Sequence, residues 1–205
     1  MKTKVIFFDF NGVISYNNFW NSIYSENHEF YRRKEEINDF IFKANVPLVK
    51  EWMVGKHNSE DIHNFIEENL KIPKDVLFPI FEKDARELDV SYQILDVIKN
   101  LKSKYKVVMI TDNMDSFDRF TLESHPELIE IFDAIYNSYN TGLLKKQNDG
   151  EIFKTILQEF RADMKDAILI DDSKSNCELI TYLGGKAINI TGEKEVLNAL
   201  ETLNI

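Results

Sequence analysis

Asp9 and Asn11 sit two residues apart at the end of an apolar run, VIFFDFNGVI (5–14), and an acidic pair, Asp171 and Asp172, follows the apolar start of AILIDDSKSN (167–176). Between them Thr111 closes KVVMIT (106–111) and is followed by Asp112 and Asn113, while two adjacent lysines, Lys145 and Lys146, lie in GLLKKQNDGEIF (142–153). A carboxylate can attack an electrophile or ligate a hard cation, and a hydroxyl with main-chain N–H groups can hold an oxyanion. A lysine supplies the counter-charge. Taken alone, Asp9 reads equally well as a strand-end carboxylate capping a turn. Asn11 stands where a second carboxylate would complete a catalytic pair.

The elements that must position these residues are legible as apolar runs. VIFF, KVVMI, DAIYN (133–137), AILI and KAINI (186–190) read as strands buried on both faces, as in a parallel sheet. Helical spacing fills the intervals: SYQILDVIKNLKSK (91–104) places Ile94, Leu95, Ile98 and Leu101 on one face, and EIFKTILQEFRA, CELITYLG and EVLNALETL follow the same pattern. Strand and helix in alternation predict a doubly wound α/β domain with a five-stranded parallel, Rossmann-like sheet. Ligands of such sheets bind beyond the carboxyl ends of the strands, where Asp9, Thr111 and Asp171-Asp172 all fall.

Residues 15–88 break the rhythm. They offer no convincing strand and read as amphipathic helices punctuated by Pro47, Gly55 and Pro73, with a helix start at Asn58-Ser-Glu-Asp-Ile. The expected organisation is therefore a core of residues 1–14 and 89–205 with a helical cap, 15–88, inserted after the first strand.

Composition narrows the function classes. A chain of 205 residues with 43% hydrophobic content can bury a substantial core, and its formal net charge of −10 disfavours nucleic acid as a partner. The lone cysteine, Cys177, excludes an internal disulfide framework and, on an apolar helix, reads as packing. Val5–Phe8 is too short for a signal-peptide core and no later segment approaches a membrane span, so the expectation is a cytoplasmic protein without membrane contact.

In order, VIFFDFNGVI, VVMITDN, the lysine of GLLKKQNDGEIF, and AILIDDSKSN resemble the four motifs of haloacid-dehalogenase-like (HAD) hydrolases. The FDAIYNS stretch and YLGGKAINI are similar to further parts of that core, and the insertion is similar to the family's small helical cap. The resemblance implies that Asp9 is the nucleophile of an aspartyl-phosphate mechanism. It implies Mg²⁺ held by Asp9, the main-chain carbonyl of Asn11 and Asp172, with Asp171 less direct. Thr111, with the Asp112 and Asn113 amides, would cradle phosphate, and a lysine would stabilise the transferring group. The usual spacing from Gly142 selects Lys145; the long separation from the following Ile-Phe leaves Lys146 open.

In the phosphatases of this family, the residue two after the nucleophile is an aspartate that protonates the leaving oxygen. An amide orients by hydrogen bonding but exchanges no proton, and such acid–base help is worth roughly 10² to 10⁴ in rate. The reading is thus a Mg²⁺-dependent phosphatase of a small phosphorylated metabolite, with Asn11 reducing turnover. The alternative is a catalytically weak phospholigand-binding protein, or a replacement at position 11 that traps substrate. A carbon–halogen hydrolase fits the acidic pair and lysine less well. His28, His57, His63 and His125 show no metal-ligand spacing and read as surface residues. Arg32-Arg33-Lys34 reads as a solvated face paired with Glu35 and Glu36. Trp20 and Trp52 are expected in the cap's own core, with pocket lining the lesser reading.

Overall fold

Val5–Phe8 (β1) is apolar at every position because both faces of the strand are covered. Ile6 and Phe8 pack with Ile94, Leu95 and Ile98 on one side; Val5 and Phe7 pack with Ile152, Phe153 and Ile156 on the other. The same division holds in Lys106–Thr111 (β2), where Val107 and Met109 join the first cluster and Val108 and Ile110 the second. The computed structural model describes residues 4–204, so residues 1–3 and 205 of the expected core lie outside the described residues. Ala134–Asn137 (β3), Ala167–Asp171 (β4) and Lys186–Asn189 (β5) complete a parallel five-stranded sheet of order β3-β2-β1-β4-β5.

This order makes β1 central, with the chain turning to β2 on one side and β4 on the other. The carboxyl end of β1 is therefore the switch point at which a crevice opens. Phe8 pairs in register with Met109 and with Ile170, and the Asp9 N–H donates to Ile170 O at 3.0 Å. Asp9 is thereby set beside Asp171 on the neighbouring strand.

The helices differ from the sequence reading mainly at their ends. Tyr92–Leu101 is capped by Ser91 Oγ, which accepts from Ile94 N, and stops at its last buried residue, with Ser103 and Lys104 exposed beyond it. Glu151–Glu159 ends short of Ala162 because Arg161 takes a left-handed φ of 54°. Ser59–Leu70 begins with the expected cap, closed reciprocally by Asn58 and Asp61. None of the helices among the described residues is long and apolar enough to cross a membrane.

Between β1 and Tyr92–Leu101 the chain contains helices and turns but no strand. Its apolar residues form a separate cluster around Trp20, Trp52, Ile62, Ile66 and Phe81, joined from the sheet side by Met114 and Phe120. Two hydrogen bonds mark where the chain leaves and returns: Ser91 N to Ile14 O (2.9 Å) and Asp89 N to Asn17 Oδ1 (2.7 Å). A buried carboxylate, Asp115, ties the two parts together. It accepts from Trp52 Nε1 (2.7 Å), Ser59 N (3.1 Å), Ser59 Oγ (2.7 Å) and an Arg119 guanidinium nitrogen (2.7 Å). Arg33 pairs with Glu36, and the Lys34 ammonium lies 3.4 Å from the Tyr31 ring centroid.

One expectation is overturned. His63 is fully buried rather than on the surface, because the helix face that carries Ile62 and Ile66 turns it into the aromatic cluster. Trp20 Nε1 donates to His63 Nε2 (3.1 Å), which fixes that nitrogen as the acceptor and leaves Nδ1–H to donate to Ser59 O (2.7 Å). Both ring nitrogens are satisfied only in the neutral form, and burial pushes the imidazole pKa down to about 4. A depressed histidine stabilises the fold fully above its unfolded pKa of about 6.5 and loses that contribution as pH falls toward 4. Unfolding free energy measured by urea denaturation at pH 7 and pH 4 is expected to show an acid loss about 3 kcal/mol larger in the starting protein than in His63→Gln.

Candidate active site

The register of β1 and β4 brings Asp9 and Asp171 together, and a single cation lies between them. Lys145 Nζ is 2.6 Å from Asp9 Oδ2 and 2.8 Å from Asp171 Oδ2, and its residue is only 1% exposed. Burial alone would push the lysine pKa down; Asp9 and Asp171 overcome this and hold the ammonium above its ordinary range. Burial pushes the Asp9 carboxyl up to about 7 against the opposing pull of Lys145, and Asp171 adds to the rise. Asp9 Oδ1 accepts from Phe10 N at 2.7 Å, which fixes the carboxylate plane.

Lys146 lies elsewhere, with its Nζ donating to Ser175 Oγ at 2.9 Å on the surface. The extra length that blurred the choice of lysine is taken up by a tight turn at Gln147–Asp149. Asn148, Asp149 and Gly150 all have positive φ there before helix Glu151–Glu159 begins. The lysine loop is pinned from β2, because Asp112 Oδ1 accepts from Lys145 N at 2.9 Å.

Asp171 is fully buried and its oxygens are heavily used. Oδ1 accepts from Ser173 N (2.7 Å) and Asn176 Nδ2 (3.1 Å), and Oδ2 from Lys145 and again from Asn176 (3.0 Å). Asn176, which the sequence reading did not single out, thus orients the acidic pair. Its only signal was its place five residues on from Asp171, in the first turn of Lys174–Tyr182. Asp172 is the exposed member, and partial burial raises its carboxyl pKa while Asp171 adds to the rise. Carboxylate oxygens of Asp9, Asp171 and Asp172 lie within 4.8 Å of one another. Gly12, at φ 77°, makes room for this approach: a Cβ there would fall 2.5 Å from Asp172 Oδ2.

Asn11 is held by its neighbours in one orientation. Met114 N donates to Asn113 Oδ1 (2.9 Å), so Asn113 Nδ2 is free to donate to Asn11 Oδ1 (2.9 Å). Asn11 is left with its Nδ2 as a donor. The Asn113 main-chain N–H does not extend an anion cradle as expected: it donates to Ser138 Oγ (3.0 Å), whose hydroxyl donates in turn to Met53 O (2.7 Å). The chain after Thr111 is bent toward β3 and the insertion, which consumes that amide. Thr111 and the Asn113 side chain still line the cavity of about 320 Å³ that opens above Asp9, together with Asn11 and with Phe19 and Phe42 from the insertion. Trp20 and Trp52 are in the insertion's core as expected, Trp20 also touching a smaller recess beside Asn11. Cys177 is packed against the sheet, and burial pushes its thiol up to about 11.

Removing the buried cation leaves two carboxylates facing each other. Lys145→Met is expected to lower the unfolding free energy at pH 8 by about 3 kcal/mol, and the loss should shrink in acid as the carboxylates take up protons. Lys146→Met should stay within about 0.5 kcal/mol of the starting protein. Urea denaturation of the three proteins at pH 8 and pH 5 checks both.

Comparison with known proteins accords with this arrangement. Residues 3–179 match the family model described as haloacid dehalogenase-like hydrolase. No curated protein sequence matches the chain. The fold is similar to that of the HAD family enzyme BT-2542 from Bacteroides thetaiotaomicron, in complex with magnesium and inorganic phosphate (TM-score 0.70, 20% identity, 93% of this chain and 96% of that one). It is also similar to a predicted HAD-like family hydrolase from Porphyromonas gingivalis (TM-score 0.74, 19% identity, 99% and 98%). A more distant likeness is to L-2-haloacid dehalogenase from Xanthobacter autotrophicus with chloropropionic acid covalently bound (TM-score 0.65, 10% identity, 92% and 77%). With the motifs in order at the carboxyl edge of one parallel sheet and the family model spanning most of its length, the chain belongs to the haloacid dehalogenase-like hydrolases.

Proposed function

We propose that the protein hydrolyses the phosphate monoester of a small metabolite, with Asp9 as nucleophile and Mg²⁺ as cofactor. The observation that carries the reading is the clustering of the Asp9, Asp171 and Asp172 carboxylates at the switch point of the sheet, with the buried Lys145 between the first two. An Asp9 oxygen attacks phosphorus, the bond from phosphorus to the ester oxygen breaks, and its electron pair leaves with that oxygen. Water then attacks the aspartyl-phosphate at phosphorus, releasing inorganic phosphate and restoring Asp9. Lys145 offsets charge on Asp9 and on the transferring group, and the Thr111 hydroxyl orients a phosphoryl oxygen.

The donor set suits a hard cation that takes few protein carboxylates and keeps waters and substrate oxygens. Asp9 and Asp172, with the Asn11 main-chain carbonyl, would hold it; Asp171, saturated by Lys145, Asn176 and Ser173, would steady them from behind. The space kept clear by Gly12 beside Asp172 is consistent with that. Bound there, Mg²⁺ would neutralise the phosphoryl oxygens against the carboxylates and favour ionised Asp9. Magnesium and inorganic phosphate in the Bacteroides enzyme support this reading over carbon–halogen cleavage, as does the pairing of Asp171 with Asp172.

Asn11 limits the first half of the chemistry, in which the ester oxygen leaves. Its Nδ2 can donate to the leaving oxygen but delivers no proton, so an alkoxide leaves at a disadvantage. This favours a second reading, a phospholigand-binding protein of low turnover.

Calorimetric titration with Mg²⁺ is expected to show binding with Asn11 in place, weakened at least about tenfold in Asp172→Asn, since even outer-sphere partners carry effects of that size. Equal binding would remove Asp172 from the site. Asn11→Asp keeps the hydrogen bond from Asn113 and restores a proton donor, so turnover of alkyl phosphates should rise about 10²-fold or more, with aryl phosphates gaining less. If neither protein hydrolyses any phosphomonoester while both bind inorganic phosphate, the binding reading replaces the enzymatic one.

A further inference from the structure

The cavity above Asp9 has an unusual charge pattern. Its contribution from the insertion is three asparagines, Asn17, Asn18 and Asn38, with Phe19, Phe42 and Met53. Among the described residues, no lysine or arginine of the insertion lines it. The charged side chains that do line it, Asp9 and Asp112, are both acidic, and the buried Lys145 beneath them is already shared between Asp9 and Asp171.

The amide orientations add direction. Asn17 Oδ1 is occupied by Asp89 N, leaving the Nδ2 end as the donor, and Asn11 is fixed the same way by Asn113. Beside these residues lies a recess of about 40 Å³ that shares Asn11, Asn17, Asn18, Phe19 and Asn113 with the main cavity. Its wall includes Ser15, 1% exposed, whose hydroxyl has no hydrogen-bond partner. A recess of that size admits a hydroxyl group or a water or two, and either would satisfy Ser15 Oγ.

From this lining we infer that the leaving group is neutral and polyhydroxylated, of monosaccharide size or smaller, and that Asn17, Asn18 and Asn38 determine this specificity. The inference rests on the phosphatase reading above and deepens it. Asparagine amides donate to and accept from hydroxyls without demanding charge. Phe19 and Phe42 offer apolar faces to the C–H side of a sugar or polyol. A second phosphate or a carboxylate on the leaving group would meet acidic residues and no cation, a repulsive element as important to specificity as the attractive contacts. The volume, about 320 Å³, lies at the small end of ligand pockets.

The test is a comparison of kcat/KM at saturating Mg²⁺ for the starting protein and Asn11→Asp. Glycerol phosphate and glucose 6-phosphate represent neutral leaving groups, 3-phosphoglycerate and a hexose bisphosphate charged ones, adenosine monophosphate an aromatic one, and p-nitrophenyl phosphate reports the chemistry alone. Neutral polyol esters should exceed the charged ones by about 10²-fold, and Asn38→Lys should narrow that gap at least about tenfold when each ester is referred to p-nitrophenyl phosphate hydrolysis by the same variant. Charged esters processed as well as neutral ones, a preference for the nucleotide, or a gap untouched by Asn38→Lys would overturn the inference while p-nitrophenyl phosphate hydrolysis upholds the phosphatase reading. No hydrolysis of any ester, p-nitrophenyl phosphate included, overturns both.

Discussion

Three charges share a space from which water is nearly excluded: the Lys145 ammonium and the carboxylates of Asp9 and Asp171. Parallel pairing of β1 with β4 forces the two aspartates to be neighbours, since the residues before them are in register. At a strand separation of about 5 Å and an effective dielectric of about 20, their repulsion would be about 3 kcal/mol. The ammonium reverses that sign. The loop carrying Lys145 is in turn held by Asp112 and carried into helix Glu151–Glu159 by a turn of left-handed residues. Sheet register, the β2 loop and the lysine loop are thus conditions on one another.

The same economy appears on the insertion side. Asp115, four residues past Thr111, binds Trp52 and Ser59, and Ser138 links Asn113 to the Met53 carbonyl. Residues just beyond the strand ends therefore have two tasks, lining the cavity and gripping the helices that roof it. Asn113 shows the trade: its main-chain N–H is spent on Ser138, while its side chain is fixed by Met114 and in turn fixes Asn11. A buried polar network satisfied to this degree sets a definite geometry, because a half-satisfied one would be costly.

Where Asn11 stands, the electrostatics favour a residue that adds no further negative charge to Asp9, Asp171 and Asp172. The amide keeps the shape and the hydrogen bond of an aspartate and gives up only the proton. The surrounding asparagines extend the same neutral, hydrogen-bonding character outward through the insertion.

The amino-acid sequence by itself determined the α/β class, the five strands and the polar residues at their carboxyl ends, because the inner strands β1, β2 and β4 must be continuous apolar runs that stop where the site begins; β3 and β5, read as buried on both faces, are edge strands and only partly covered. Its motif order also pointed to Asp9, Thr111 and the acidic pair. Its spacing favoured Lys145 but left Lys146 open, and the fold separates them by burying one between carboxylates and leaving the other to Ser175. His63 was misplaced on the surface because a lone histidine among charged neighbours carries no sign of burial; its partners Trp20 and Ser59 become neighbours only when the insertion packs. The role of Asn176, the loss of the Asn113 amide to Ser138 and the asparagine lining of the cavity were likewise decided by tertiary structure. Each depends on side chains from distant segments meeting at one hydrogen-bond length, a distance that no local periodicity encodes.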